Sequence, residues 1–317
     1  MLGIEDGMML RQLLARRLRV TPSVAAALVR AGGVYVGQLR MCVPTLRVGE
    51  GERVSVYRAA AAVRELEAEA LRVVHRDETC VIVDKPHGVA AAATKATSRG
   101  TVAQALVKLL TQEKVARPYV GLVHALPTAA AGLAVFTIRG QATESFFKLF
   151  AELVMVRRYV VRVAGVMPAA TMRCDAQVTV TPWGGWRLSR GTDGGLAAAT
   201  VVTRLAALDE ETLAEVTLTG GGTGGGEVVR LHLASLGLAL VGDAEHAGAA
   251  GVEAPQILCL LASHVAFVHP RAGTPVEAEA ERPGWARVDE VVDPAGPEDH
   301  AFLEDGANNL PPRGSAD

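Results

Sequence analysis

Hydrophobic and polar positions alternate with a helical period near the start of the chain and with a strand period through much of the rest. Four leucines of "LRQLLARRLRV" share one face of a predicted helix, with arginines on the other: Leu10, Leu13, Leu14 and Leu18. "TPSVAAALVRAGG" predicts a second helix with Thr21 as its N-cap, Pro22 in its first position and its end at Gly32. Short β-rich pieces follow in "VYVGQLRMCVPTLRVGEGERVSVY". We therefore predict a small unit at 1–57.

The pattern changes near Leu71, after a predicted linker at 58–70. Strands are predicted in "LRVVHRDETCVIVDKPHGV", and the next helices in "TVAQALVKLLTQ" and "TESFFKLFAEL". Further strands follow in "RYVVRVAG", "AAATVVTRLAAL" and "LAEVTLT", then a helix in "EVVRLHLASLG" and a closing hairpin in "LASHVAFVHPRAGTPVEAEAERP". The fold class predicted is α+β, with a mixed, mostly antiparallel sheet flanked by helices over 71–285.

Charge is distributed unevenly along a chain of 317 residues whose formal net charge is only −2. Residues 1–58 carry nine arginines and four acids, whereas the segment from Asp289 onward carries eight acids and only Arg313. The first unit is therefore suited to bind phosphates. The tail at 286–317 is acidic and rich in Pro, Gly and Asn, which predicts disorder. No apolar run is long enough to cross a bilayer, so we expect no membrane partner.

Cysteine and histidine positions give no sign of a metal site. The four cysteines lie far apart without a CxxC pair, and the eight histidines include no HExxH motif and no His/Cys pair at ligand spacing. We therefore predict neither a metal nor a cofactor, and a reducing compartment. The segment "MMLRQLLARRLRV" is amphipathic and Arg-rich like a mitochondrial transit peptide, although Glu5 and Asp6 precede it.

The glycine run "GGGTGGG" matches the GxGxxG pattern through Gly220, Gly222 and Gly225, with Asp243 about twenty residues further on. Such a pattern would suit a dinucleotide if it followed a buried parallel strand. The preceding "LAEVTLT" instead alternates polar and apolar residues, which is typical of a half-solvated antiparallel sheet. We therefore favour a flexible loop here over a nucleotide site.

The order of these segments resembles that of RluA-type pseudouridine synthases over roughly residues 8–285. "VVHRDETCVIVDKPHGV" is similar to the strand and KPxG that open their catalytic domain, and "VHALPTAAAGLAVFT" to their HRLDxxTSG motif. "RRYVVRVAG" is similar to their K-x-Y strand, and "GGGEVVRLHLASLGLALVGDAEHAG" to GRTHQIR-x-HLxxLGxPxxGDxxYG. The principal matching residues are Lys85, Pro86, Gly88, His124, Leu126, Gly132, Tyr159, Arg230, His232, Gly237 and Asp243. The basic first unit resembles the alpha-L RNA-binding domain that often precedes these enzymes.

The nucleophile position departs from the family pattern. The resemblance implies that the aspartate of HRLD attacks the target uridine, but this chain has Pro127 there, and Ala125 replaces the arginine that takes the place of the flipped base. Ala130 and Ala131 stand for the threonine and serine of TSG. Deleting a covalent nucleophile typically costs ~10⁴–10⁶ in rate. We therefore predict no intact catalytic residue.

Two remnants of the implied site survive. Tyr159 matches the tyrosine that packs beneath the base in the family, and Arg230 matches the arginine that pairs with the aspartate. Around Arg230, however, the GRTHQI run has become glycine, glutamate and valine at 224–229. The sequence thus predicts a pseudouridine-synthase shape that has lost its chemistry.

The function predicted from these observations is RNA binding by an inactive homologue that acts as a ribosome assembly or structural factor. The expected partners are large-subunit ribosomal RNA and ribosomal or assembly-factor proteins. Candidate phosphate contacts are Arg11, Arg16, Arg17, Arg19, Arg30, Arg40 and Lys85. Analogy with ribosome-like particles favours the mitochondrial matrix over the cytoplasm. Two alternatives stay open: an active synthase with non-standard catalytic residues, and a protein-interaction or nucleotide-binding module that binds no RNA.

Overall fold

A computed structural model describes residues 7–57, 65–124, 126–152, 155–181, 185–190, 194–243, 245–246 and 257–287. The first half of the predicted linker and Ala125 lie outside these ranges. The predicted acidic tail, apart from residues 286 and 287, also lies outside the described residues. The predicted limits of the domains therefore stay predictions.

The first unit contains two helices and five short strands. They are α1 (Leu10–Leu18), α2 (Pro22–Ala31), β1 (Met8–Met9), β2 (Val34–Val36), β3 (Leu39–Met41), β4 (Arg47–Val48) and β5 (Val54–Val56). The hydroxyl of Thr21 accepts a hydrogen bond from the main chain of Val24 at 3.3 Å, and Gly32 ends α2 in the left-handed region at φ 87°. Leu10, Leu13 and Leu14 are buried in this unit's own core. The Arg-rich segment is thus a packed helix, as predicted.

The remaining elements form a ten-stranded sheet with helices packed on it and a separate pair of strands, β12 and β13. The strands are β6 (Arg72–Arg76), β7 (Cys80–Lys85), β8 (Gly121–Leu122), β9 (Ala131–Thr137), β10 (Val156–Ala164), β11 (Thr171–Cys174), β12 (Val178–Val180), β13 (Trp186–Leu188), β14 (Ala198–Ala207), β15 (Glu211–Gly220), β16 (Leu260–Val268) and β17 (Pro275–Glu279). The helices are α3 (Val102–Gln112), α4 (Thr143–Ala151) and α5 (Gly225–Ser235). Buried residues of all three helices belong to the main core.

The strand order is β11-β14-β15-β10-β16-β9-β7-β6, with β17 paired to β16 and β8 to β9. Within this sheet, pairing is antiparallel except between β16 and β9, which pair in parallel through Ala262 and Gly132. A Cβ added to Gly132, which has φ 104°, would lie 2.3 Å from the carbonyl oxygen of Ala262. Glycine is therefore needed for this close approach. The predicted α+β class with a mixed, mostly antiparallel sheet is confirmed.

The prediction of a flexible loop at 220–226 is wrong. The segment is almost entirely buried and passes through a 3₁₀ turn at Gly222–Gly224 into α5. The guanidinium of Arg157 holds it by donating hydrogen bonds to the carbonyls of Gly220 and Gly222. The strand before it, β15, is antiparallel to both of its neighbours, unlike the parallel strand of a dinucleotide fold. Within the described part of the chain, no helix is long and apolar enough to span a membrane.

Candidate functional site

Pro127 lies in the loop between β8 and β9, directly against the first turn of α5. The main-chain nitrogen of Ala130 donates to the carbonyl of Pro127 at 3.0 Å and closes a tight turn. A Cβ added to Gly226 would lie 2.8 Å from Cδ of Pro127 and 3.2 Å from a methyl group of Leu260. Since position 127 is a proline, it has no ionisable side chain. The position that faces it on α5, Gly226, has no room for a side chain unless the loop moves.

Lys85 fixes this loop by hydrogen bonds to its main-chain carbonyls. Its ammonium group donates hydrogen bonds to the carbonyls of Val89 at 2.8 Å, Ala130 at 2.5 Å, Pro86 at 3.2 Å and Thr128 at 3.3 Å. Burial lowers the pKa of Lys85 to about 7. The structure does not support the predicted role of Lys85 in RNA binding, because its side chain is 0% exposed and these carbonyls replace water around its charge. Lys85 instead ties the KPHG segment to the Pro127 loop.

Tyr159 lies in the centre of β10 and is fully buried. Its hydroxyl group lies 2.8 Å from Nε2 of His124, the histidine shared with the family motif. Burial lowers the pKa of His124 to about 3 and raises that of Tyr159 to about 12, so both groups are neutral at physiological pH. In this conformation Tyr159 is a core residue. The implied role beneath a base would require it to become exposed.

Arg230 is fully occupied by acidic neighbours. Its Nε and Nη2 donate to the two carboxylate oxygens of Asp243 at 2.8 and 2.7 Å, and further bonds reach Glu227 at 2.7 Å and Glu245 at 3.0 Å. Burial alone would raise the pKa of Asp243, but the hydrogen bonds and charge of Arg230 hold it below its usual value. The arginine that would pair with a loop aspartate is therefore neutralised by carboxylates of its own surroundings.

Arg157 is a site residue that the sequence analysis missed. In the K-x-Y pattern it occupies the lysine position, two residues before Tyr159, so the signal was present in "RRY". The guanidinium is completely buried, lies over the ring of Phe150 at 5.5 Å, and leaves its Nε without a hydrogen-bond partner. Within the described ranges it forms no ion pair with a carboxylate. Its partners are the two carbonyls of the glycine run.

The six predicted RNA-binding arginines differ in their exposure and in their contacts. Four are exposed on or just after the two helices of the first unit, and we call them the helix arginine surface: Arg16, Arg17, Arg19 and Arg30. Arg11 is partly buried, with its guanidinium 3.8 Å from the sulfur of Met9. Arg40 differs, since it donates to the carbonyls of Gly32 at 2.7 Å and Thr94 at 2.6 Å. Arg40 therefore joins the first unit to the loop after β7, and two of its nitrogens are already used.

Comparison with known proteins agrees with this geometry. A family model described as RNA pseudouridylate synthase matches residues 79–234. The chain is 30% identical over 227 residues to ribosomal large subunit pseudouridine synthase D of Zymomonas mobilis, covering 67% of this chain and 69% of that protein. It is 27% identical over 271 residues to an uncharacterized RNA pseudouridine synthase of Aquifex aeolicus, covering 81% and 84% of the two chains.

Solved structures show the same fold. Human RNA Pseudouridylate Synthase Domain Containing 4 superposes with a TM-score of 0.54 at 17% identity, over 69% of this chain and 92% of that one. Human RNA Pseudouridylate Synthase Domain Containing 1 gives a TM-score of 0.53 at 18% identity, over 70% and 87% of the two chains. Fold, motif order and sequence similarity agree, and the chain belongs to the RluA-type family of RNA pseudouridine synthases.

Proposed function

We propose that this chain is a catalytically inactive family member that binds structured RNA as an assembly or structural factor on large-subunit ribosomal RNA. The observation that carries the proposal is Pro127, which stands where the resemblance implies the attacking aspartate. A proline ring offers no atom that could attack a base or accept a proton, and no neighbouring group can activate it.

The surroundings of Pro127 support the loss of activity. The loop packs against Gly226, Tyr159 is sealed in the core, and Arg230 is paired with carboxylates. A productive site would need an acid on the loop, space beside α5 and a free cation next to that acid. The described residues provide none of these three features.

RNA binding is supported by charge and by relatives. The helix arginine surface concentrates exposed positive charge on one small unit, which is the usual source of affinity for phosphates. The similar protein of Zymomonas mobilis is named for the large ribosomal subunit, and we extend that substrate class to this chain as a binding target. Structured RNA is recognised largely by shape and backbone, so binding does not require a working catalytic centre.

Two measurements on the full-length protein test the proposal. Crosslinking and sequencing of bound RNA should enrich large-subunit ribosomal RNA, and purified protein should form no pseudouridine in that RNA by nucleoside mass spectrometry. Pseudouridine that disappears when the protein is deleted, and returns with purified protein, would instead establish the active synthase with non-standard residues. Absence of crosslinked RNA would favour a protein-interaction module.

The proposed compartment is the mitochondrial matrix, where the ribosomal or assembly-factor partners would also lie. The motivation is the analogy with ribosome-like particles. Fractionation of cells that express a C-terminally tagged chain should recover it with matrix ribosomal proteins. Recovery only with cytosolic ribosomes would overturn this assignment.

A further inference from the structure

The turn between β6 and β7 brings together three side chains of types that can bind a metal. None of them belongs to the helix arginine surface. His75 pairs with Ile82 across the hairpin, and Cys80 lies two residues before Ile82 on the same strand. Because side chains alternate along a strand, His75 and Cys80 share one face. Asp77 lies in the connecting turn. A ring nitrogen of His75, a carboxylate oxygen of Asp77 and the sulfur of Cys80 all lie within 4.8 Å of one another.

Two of the three distances between ligand atoms are close to those of a tetrahedral zinc site. Oδ2 of Asp77 lies 3.3 Å from Nε2 of His75 and 3.2 Å from the sulfur of Cys80. Ligands bound to zinc at about 2.0–2.3 Å are separated by about 3.3–3.6 Å in a tetrahedron. We propose that His75, Asp77 and Cys80 bind a zinc ion. No metal site was predicted from the sequence, because His-x-Asp-x-x-Cys matches no standard ligand spacing and only the hairpin brings these residues together.

The carboxylate of Asp77 is already oriented for this role. Its Oδ1 accepts hydrogen bonds from the main-chain nitrogens of Thr79 at 2.7 Å and Cys80 at 2.8 Å, while Oδ2 lies beside the other two ligands and 3.4 Å from Nε2 of His269. The hydroxyl of Thr79 also lies 2.9 Å from Oδ1 and 2.7 Å from Nε2 of His269. This arrangement resembles the supporting hydrogen bonds that orient the ligands of zinc sites.

His269 belongs to this support and is not a ligand. Its Nδ1 accepts hydrogen bonds from the main-chain nitrogens of Arg271 and Ala272 at 3.2 and 2.9 Å. Because Nδ1 accepts these bonds, Nε2 carries the proton that it donates to the hydroxyl of Thr79, and it has no lone pair for a metal. The proposed site thus has three protein ligands.

A fourth position is accessible. His75 and Asp77 line a cavity of about 670 Å³, whereas Cys80 is fully buried and is not part of its lining, so an ion and a water ligand would enter from the side of His75 and Asp77. Three protein ligands and one open position are common in zinc sites.

Glu227, Glu245 and His246 form a second group of similar size, but Arg230 already neutralises its two carboxylates and would repel a cation. The β6–β7 turn is therefore the better site. Binding would replace the thiol proton of Cys80 and release it to water, with no change of oxidation state.

Cobalt is the probe for the test, because thiolate coordination to Co²⁺ produces a charge-transfer absorption band. Metal-free full-length protein should bind one equivalent of Co²⁺ with this band, and Zn²⁺ should displace it. Cys80→Ser should abolish the band. His75→Gln should weaken Zn²⁺ binding at least tenfold in competition with a chelator, since loss of even a supporting partner costs about 10–100-fold.

Matched controls use the other cysteines. Cys259→Ser removes a buried thiol elsewhere and Cys42→Ser an exposed one, so both variants should keep the band. A missing band in the wild type, or one that persists in Cys80→Ser, would show that the turn is held by hydrogen bonds alone. If Cys80→Ser does not fold, the His75→Gln variant is the deciding test, because His75 is partly exposed. Unchanged Zn²⁺ affinity in this variant would overturn the proposal. Neither measurement involves RNA, so its result is independent of the proposed function.

Discussion

Neutralising two arginines of the helix arginine surface should change how RNA binding depends on salt. Arg17 and Arg30 lie in the last turns of α1 and α2, and both side chains are exposed. Replacing both with glutamine removes two charges while keeping chain length and helix propensity. Each phosphate contact contributes about 0.7 to 0.9 to the slope of log affinity against log salt concentration.

The magnitude follows from the number of exposed arginines. If the four arginines of the surface each contact one phosphate, the wild-type slope from this surface is about −2.8 to −3.6, and the double variant keeps about −1.4 to −1.8. Between about 50 and 200 mM salt, the wild type would then lose about 50- to 150-fold in affinity, and the double variant about 7- to 12-fold.

Fluorescence anisotropy with a labelled, structured fragment of large-subunit ribosomal RNA measures both slopes. Arg173→Gln is the control, because this exposed arginine lies on the edge strand β11 and pairs with Asp175 at 2.7 Å. Its slope should equal that of the wild type. An unchanged slope in the double variant would refute phosphate contact by these helices, and an equal change in the control would show an effect of net charge alone.

Three other changes test the site. Pro127→Asp alone should form no pseudouridine by nucleoside mass spectrometry, because Gly226 packs on this position and Arg230 is already paired; turnover by this variant would show that an acid at position 127 is sufficient to restore the site. Tyr159→Phe should lower the free energy of unfolding in urea by about 1 kcal/mol through loss of the hydrogen bond to His124, and a loss of RNA affinity would show instead that Tyr159 faces RNA. The third change is Lys85→Met. The pKa of Lys85 falls from 10.5 to about 7 on folding, so the unfolded chain binds more protons between these values. Wild-type stability relative to Lys85→Met should therefore rise from pH 7 to pH 10, by up to about 1.4 kcal/mol per pH unit. A difference independent of pH would mean that the four carbonyls keep the ammonium charged.

Local signals explain what the sequence could predict of the fold. Thr21, Pro22 and Gly32 define the ends of α2 by chemistry that acts within one turn, and the structure places those ends where the residues indicate. The alternation in "LAEVTLT" likewise identified β15 as an antiparallel strand. These features depend on neighbours within a few residues, so a single sequence contains the information needed.

Long-range contacts explain what the sequence could not predict. Lys85 was taken as an RNA contact, yet two of its carbonyl partners are 43 and 45 residues away in the chain. Arg40 donates to a carbonyl 54 residues away. The glycine run appeared flexible by composition, but Arg157, more than 60 residues earlier, fixes its carbonyls. A local sequence pattern does not indicate which distant carbonyl will accept hydrogen bonds from a buried lysine or arginine.

The departures at Pro127 and in the glycine run are coupled by one contact. Gly226 takes the place of a larger residue in the GRTHQI pattern, and a Cβ there would meet Pro127 at 2.8 Å. The small residue therefore allows the first turn of α5 to close on the loop, and the closed loop in turn leaves no room for a larger residue. An acid restored at 127 would still face a helix packed against it, and a larger side chain restored at 226 would still face a loop that lacks an acid. If the chain is inactive as proposed, restoring activity would therefore require both sides of the contact to be rebuilt together.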